Sequence, residues 1–245
     1  MKKYKHLFFD LDGTLWDLKK NTTEALQLLF ERYPEQLSGV DFHPFRKRYV
    51  HHNDKVWALY RDGKIEKEML RYVRFERAFA DLGHALDKNF IDTFANDFMY
   101  ECPRRSHTLE GTHALLDYCS DKYEMHIITN GFIEVQGHKM TAAKLHTYFT
   151  KIINSEHCGI RKPHAGIFEY ALQQAGAKKE ESLMIGDDWE ADILGARDFG
   201  MDQAFITSTD AMMNEVNDGI SHTPIRHNYQ PTFTIDRLSE LMEVL

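Results

Sequence analysis

Short apolar runs that stop abruptly at polar or glycine positions recur along this chain. Tyr4 to Phe9 alternate and then cluster as Leu7, Phe8 and Phe9 before Asp10 and Gly13, which reads as a buried strand ending in a loop. Met125–Thr129 ends the same way at Asn130-Gly131, and similar runs stand at Ile152–Asn154, at Leu183–Ile185 before Gly186-Asp187, and at Ala204–Ile206. Helical stretches separate them, at about 110–120, 134–147, 164–175 and 190–199. Strands alternating with helices predict an α/β architecture: a parallel sheet covered on both faces.

Over a hundred residues lie between the first of these strands and the second, and they read differently. No strand pattern occurs there. Asn21-Thr22-Thr23-Glu24 has the form of a capping box ahead of Ala25, Leu26, Leu28 and Leu29. Tyr72, Phe75, Phe79 and Leu82 follow at three- and four-residue steps, the stripe of a helix. The pattern predicts a helical module inserted at residues 17–104, closed by Pro103, with residues 1–16 and 105–245 forming the α/β core.

Composition narrows the function classes. The charge balance, 30 Lys and Arg against 38 Asp and Glu, gives a net charge of −8 and argues against a nucleic-acid polymer held on a basic surface. The three cysteines form no CxxC pair and fit reduced thiols. The leading lysines are followed by too few apolar residues for a secretory segment, and no run approaches the ~20 that a membrane span requires. These readings predict a cytoplasmic protein with no membrane partner.

Four segments carry candidate chemistry, each at or just after a predicted strand end, the edge where open parallel sheets bind ligands. In Asp10-Leu11-Asp12-Gly13-Thr14, residues two apart on extended chain share a side, so both carboxylates point to one centre. A pair of ordinary turn residues would look similar. A calcium loop would not, because the glycine stands at position 4 of the run rather than 6. Thr129-Asn130-Gly131 offers a hydroxyl and a free backbone N–H for an anionic oxygen, or else a plain turn. In Arg161-Lys162-Pro163 the proline pre-sets the next helix and aims Lys162. Gly186-Asp187-Asp188-Trp189-Glu190-Ala191-Asp192 crowds four acids into six residues, which repel one another unless a cation sits among them. Hard carboxylate oxygens beside a phosphate suit Mg²⁺, with Asp187 as the best ligand.

The four segments in this order, with an insertion after the first, make the chain similar to the haloacid dehalogenase superfamily of phosphatases. That family has a Rossmann-like parallel core with a helical cap inserted after the first motif. The resemblance implies a magnesium-dependent phosphoric monoester hydrolase. Asp10 is then the nucleophile that becomes phosphorylated, and Asp12 the general acid and base, its carbonyl also binding metal with Asp10 and Asp187. Leu11, Thr129, Asn130 and Lys162 engage the phosphoryl group and Trp16 the substrate. Thr14, Asp188 and Asp192 support them. Asp187 through Leu194, Gly195 and Ala196 to Gly200, with Pro231–Ile235 and Leu238–Leu241, resemble the superfamily's 5′-nucleotidase-like branch. The implied partner is a small phosphorylated metabolite, foremost a nucleoside 5′-monophosphate, acted on by a monomer or homodimer. The inserted module would choose the leaving group, with Trp16 as a flap beside its hinge.

Other residues invite chemistry less strongly. His51 and His52 are adjacent, so they diverge on a helix, and the fourteen histidines read as surface residues. Arg46-Lys47-Arg48 reads as a solvated face, and Phe42, Phe45, Tyr49, Trp57 and Tyr60 as module core rather than a stacking platform. A phosphomutase shares all four motifs and stays open as an alternative, as does a sugar-phosphate phosphatase. Asp12 argues against a dehalogenase, length and the insertion against a receiver domain, and the complete set of motifs against an inert scaffold.

Overall fold

The computed structural model describes residues 4–207 and 229–245; Lys2 and Lys3 lie outside them. Strands form at His6–Phe9 (β1), Glu124–Thr129 (β2), Lys151–Asn154 (β3), Ser182–Gly186 (β4), Asp202–Ile206 (β5) and Phe233–Ile235 (β6). They make one parallel sheet in the order β3-β2-β1-β4-β5-β6. The chain winds outward from β1 to β3, then restarts beside β1 with β4. At that reversal the loops leaving β1 and β4 part to opposite faces, opening a crevice at the carboxyl edge. Register completes the placement: Phe9 pairs with Ile127 on one side and Ile185 on the other. The residues that follow all three strands therefore emerge together.

The strands read as continuous apolar runs because both faces are covered. Leu7, Phe8, Phe9, Leu183, Met184 and Ile185 are wholly buried. On one face Phe8, Ile128, Ile153 and Met184 pack against Ile167, Phe168 and Ala171 of the helix Ala165–Ala175. Each such side chain contributes about 1.5–3 kcal/mol on burial, an upper figure for a real unfolded chain.

All five expected strands are strands. The sixth, β6, was not expected: three residues behind a proline are too short to show alternation. It pairs with β5 at the sheet edge. The helix expected over 134–147 stops at Ala142, since Lys144 adopts a left-handed φ of 56°. The segment expected as helix at 190–199 opens with a wider π turn, Trp189–Leu194, before Gly195–Phe199.

The chain divides into two compact units, residues up to Leu18 with Ser106 onward, and Lys19–Arg105. The second is helical: α1 (Leu18–Arg32), α2 (Phe42–Arg61), α3 (Lys67–Ala80) and α4 (Lys88–Glu101). Its core is aromatic, with Phe45 stacked on Phe79 at 4.3 Å and Phe94 edge-on to Phe75 at 5.3 Å. Arg74 is buried there with its guanidinium over the rings of Phe75 and Phe98. Phe45, Tyr49 and Tyr60 are buried, as core residues should be, while Phe42 and Trp57 are half-buried.

Three expectations need correction. Asn21 to Glu24 do not cap α1, which starts at Leu18; Asn21 is buried on the same face as Ala25, Leu26 and Leu29. The Thr23 hydroxyl donates instead to the Lys19 carbonyl one turn back, an interior role. Leu82 lies beyond α3, whose buried face is Leu70, Arg74, Phe75, Ala78 and Phe79. The histidines are not all superficial: His126 is wholly buried and His6 and His52 nearly so.

Burial of His126, with His6 and Lys151 nearby, lowers its pKa from 6.5 to about 4. Between those values the folded chain binds fewer protons than the unfolded one, so stability rises with pH there. We expect stability to be full above pH 6.5 and to fall as pH drops toward 4. Urea midpoints across that window, in chelator, should show the slope in the native chain and a flatter profile in His126→Phe.

Candidate active site

The loop after β1 turns tightly at Gly13, where φ is +82°. Leu11 carbonyl accepts the amides of Leu15 and Trp16, and the Gly13 amide donates to the Trp16 carbonyl. A Cβ at position 13 would stand 2.3 Å from Oδ2 of Asp187, so glycine is required twice over, by conformation and by space. Asp10 is held from behind, its amide donating to the Ile185 carbonyl and its carboxylate accepting from Leu11 N–H. Thr14 Oγ1 donates to Asp187 Oδ1 at 2.8 Å, tying the loop after β1 to the loop after β4.

Lys162 reaches this crevice from the turn before the helix Ala165–Ala175. Only 2% of its side-chain surface is exposed. Its Nζ donates to Asp10 Oδ1 at 2.6 Å, Asp192 Oδ1 at 2.6 Å and the Ile128 carbonyl at 2.8 Å. An ammonium has three protons, and all three are spent. In this arrangement Lys162 steadies Asp10 and has none left for a phosphate, which narrows the role expected of it. Pro163 does not open that helix; His164 caps it, its ring accepting the Gly166 amide. The backbone of Lys162 is fixed by Asn130, whose side chain donates to its carbonyl at 3.0 Å and accepts its amide at 2.9 Å.

The π turn after β4 directs Asp192 back toward the sheet. Asp192 Oδ1 takes Lys162 and Oδ2 takes the Asp188 amide at 3.1 Å. Asp188 Oδ1 itself caps the turn, accepting the amides of Glu190 and Ala191. The expected support of Lys162 thus comes from Asp192, while Asp188 shapes the turn that carries it. One feature of the sequence explains the close approach: a Cβ on Gly186 would lie 2.2 Å from Asp192 Oδ2.

Two side chains absent from the sequence reading complete the site. They lie three residues apart on the helix Ile133–Ala142, one turn, so they share a face. Lys139 Nζ donates to both oxygens of Asp12, at 2.6 and 2.8 Å. Gln136 Nε2 donates to Asp12 Oδ2 at 3.0 Å and to Thr129 Oγ1 at 2.6 Å. Both are buried, and this is the signal that a one-dimensional reading lacks: a lysine and a glutamine at helical spacing look like any solvated face. Thr129 Oγ1 also accepts the Gly131 amide at 3.0 Å. Two donors occupy both of its lone pairs, so its own proton is directed to an acceptor, as an anionic oxygen would provide. Trp16, expected as a flap over substrate, is wholly buried, with Lys139 Nζ 4.6 Å above its ring.

Charge is unbalanced at this edge. Burial, opposed by Lys162 and reinforced by Asp12, holds the Asp10 carboxyl above its ordinary range. Burial and the charges of Asp10 and Asp192 do the same to Asp187. Asp192 is pushed up to about 7 by burial, against the pull of Lys162. For Lys162, burial works the other way, but Asp10 and Asp192 overcome it and keep the amine charged. One carboxylate oxygen from each of Asp10, Asp187 and Asp192 lies within 4.8 Å of the others. These three acids, only two of which contact Lys162, form a donor set that a hard divalent cation would satisfy. Both oxygens of Asp192 already accept a donor, whereas Asp187 accepts one at Oδ1 alone, from Thr14.

The profile of haloacid dehalogenase-like hydrolases matches residues 4–200. The pyrimidine 5′-nucleotidase PynA of Streptococcus pneumoniae is 32% identical over 99% of this chain and 95% of its own length. The pyrimidine 5′-nucleotidase YjjG of Escherichia coli is 31% identical over 99% of this chain and 98% of its own. Among solved structures, the putative HAD-hydrolase YfnB of Bacillus subtilis, bound to magnesium, superposes with a TM-score of 0.82 at 24% identity, covering 100% of this chain and 99% of that one.

The packing of Gly186 against Asp192 generates a test. Gly186→Ala drives a methyl into the Asp192 carboxylate and so displaces the anchor of Lys162. Overpacking of this kind costs about 1–3 kcal/mol. Chemical denaturation should show that loss, and a crystal structure or ¹⁵N-lysine NMR should show Lys162 released from Asp192.

Proposed function

The chain belongs to the haloacid dehalogenase-like hydrolase family, and from that premise we propose that it is a magnesium-dependent phosphomonoesterase acting on nucleoside 5′-monophosphates. The observation that carries the proposal is the buried contact of Lys162 with Asp10 at 2.6 Å, at a sheet edge where carboxylates crowd. A carboxylate fixed by an ammonium and aimed from a rigid strand end is a positioned nucleophile.

The reaction proceeds in two displacements. Asp10 forms a bond to phosphorus as the bond to the leaving oxygen breaks, and Asp12 gives that oxygen a proton. Asp12 then takes a proton from water as the water attacks the same phosphorus, releasing phosphate and restoring Asp10. Thr129, with only its proton to offer, and the Asn130 amide bind phosphoryl oxygens. Asp10 and Asp187, with the Asp12 carbonyl, would hold Mg²⁺, which when bound would offset the charge between carboxylate and phosphate. Lys139 and Gln136 orient Asp12. Nothing in this set recognises a base or sugar, so leaving-group choice falls to other residues. The nucleotide assignment is supported by the two pyrimidine 5′-nucleotidases similar over nearly their whole length. A sugar-phosphate phosphatase or mutase is the alternative outcome.

Phosphate release across pyrimidine and purine nucleotides, sugar phosphates and p-nitrophenyl phosphate tests the assignment. We expect pyrimidine 5′-monophosphates to give the highest kcat/KM, chelator to abolish turnover, and Asp10→Asn to fall below about a hundredth of the native rate. Preference for a sugar phosphate would replace the substrate. An isomer in place of free phosphate would replace the reaction.

The Lys139–Asp12 pair makes a separate prediction. General acid catalysis is worth about 10²–10⁴-fold, and a good leaving group needs little of it. Lys139→Met should therefore lower kcat on a nucleotide by about 10²-fold and on p-nitrophenyl phosphate far less, with Lys139→Arg recovering part of the loss. Equal losses on both esters would assign Lys139 to packing alone.

A further inference from the structure

At the opposite edge of the sheet, the amino ends of β1 and β2 bring three ligating side chains to one face. Residues two apart on a strand share a face, and register partners on parallel strands point the same way. His6 pairs with Glu124, and Phe8 with His126, so His6, Glu124 and His126 project together. Nδ1 of His6 lies 3.2 Å from Nε2 of His126 and 3.9 Å from Oε2 of Glu124. Each pair among these three atoms falls within 4.8 Å.

Metal–nitrogen bonds of ~2.0–2.1 Å in a tetrahedral shell place two imidazole nitrogens ~3.3–3.4 Å apart. The observed 3.2 Å is close to that spacing. His126 is wholly buried and His6 nearly so, while Glu124 stands at the exposed rim. The ring of His126 is packed on Phe8 at 4.7 Å, and its Nδ1 has no hydrogen-bond partner among the described residues. Nε2 is therefore the nitrogen through which it acts. Burial lowers its pKa and keeps the ring neutral at neutral pH, and a neutral imidazole is the form that ligates a metal. Two positive groups lie near, Lys151 opposite His126 and Lys5, the latter paired with Glu181 at 2.7 Å.

We propose that His6, His126 and Glu124 form a binding site for a divalent transition ion of the zinc class, separate from the carboxylate cluster at the other edge. Two imidazoles and one carboxylate are a donor set that Zn²⁺ takes, with a further position left to water. Imidazole donors select such ions over Mg²⁺, whereas the all-oxygen set around Asp10 selects the reverse. The two sites stand at opposite ends of β1, on the order of 13 Å apart along the strand. An ion here clips β1 to β2 beneath the catalytic loops, and binding to the folded state alone raises stability by mass action. The competing account is a bare hydrogen bond between the two rings, which leaves Glu124 without a part.

The test uses full-length protein stripped of metal and held in excess Mg²⁺. Zn²⁺ is titrated by calorimetry, and Co²⁺ is followed by its visible absorption, in the native chain, Glu124→Gln and His6→Asn. Glu124 is exposed, so Glu124→Gln keeps the fold even if replacing a histidine does not. The native chain should bind one equivalent more tightly than Glu124→Gln by at least about tenfold, the scale at which altering a metal's surroundings shows. Co²⁺ should give the intense bands of a low-coordinate nitrogen site, and Zn²⁺ should raise the native Tm but not that of Glu124→Gln. Phosphate release in Mg²⁺ should be the same in both. Equal Zn²⁺ affinity and equal Tm response in the native chain and Glu124→Gln would overturn the proposal and leave the rings joined only by their hydrogen bond.

Discussion

Lys162 holds a full positive charge almost entirely away from water, between Asp10 and Asp192. Removing such charges from solvent costs several kcal/mol per ion, so the arrangement persists only because every proton is matched. Nζ meets two carboxylates and one carbonyl, and the backbone of the same residue is clamped by Asn130. Each of the four loops supplies one part: Asp10 after β1, Asn130 after β2, Lys162 before the helix Ala165–Ala175, Asp192 after β4. Breaking the triad from any side leaves an uncompensated charge, which makes it the constraint to which the others conform.

Several local choices become intelligible from that constraint. Gly186 is small because Asp192 must pass over it to reach Lys162, and Gly13 because Asp187 presses against the first loop. The π turn bends the chain so that Asp192 faces inward, and Asp188 caps it. The acids not neutralised by Lys162 remain crowded, a donor set that a cation would satisfy. The same logic at lower charge density governs Asp12, which Lys139 and Gln136 hold in place.

Much of this was legible in the sequence. The apolar runs marked five strands because a strand buried on both faces has nowhere to place a polar side chain. The four motifs then fell at the carboxyl edge. Four things were hidden. Gln136 and Lys139 were hidden because helical spacing does not say which face is buried. The expectation of Trp16 as a flap comes from the family, which has one between core and cap at that position, whereas its burial against Lys139 arises from a fold in the loop that no spacing reveals. The false capping box at Asn21–Glu24 matched a composition rule, but the buried face of α1 already included Asn21 and carried the helix upstream. His6 and His126 were passed over because a motif search looks along one strand, and their juxtaposition spans two.

The central claim is that Asp10, fixed by Lys162, attacks phosphorus and is itself phosphorylated. Borohydride reduces an acyl phosphate to the alcohol, converting the aspartate that carries it into homoserine. Native protein would be quenched with borohydride during turnover of a pyrimidine nucleotide and digested, and the peptide spanning Asp10 read by mass spectrometry. The account predicts substrate-dependent homoserine at position 10 and nowhere else. Undiminished turnover with no reduction at position 10, or reduction at a different acid, would contradict it.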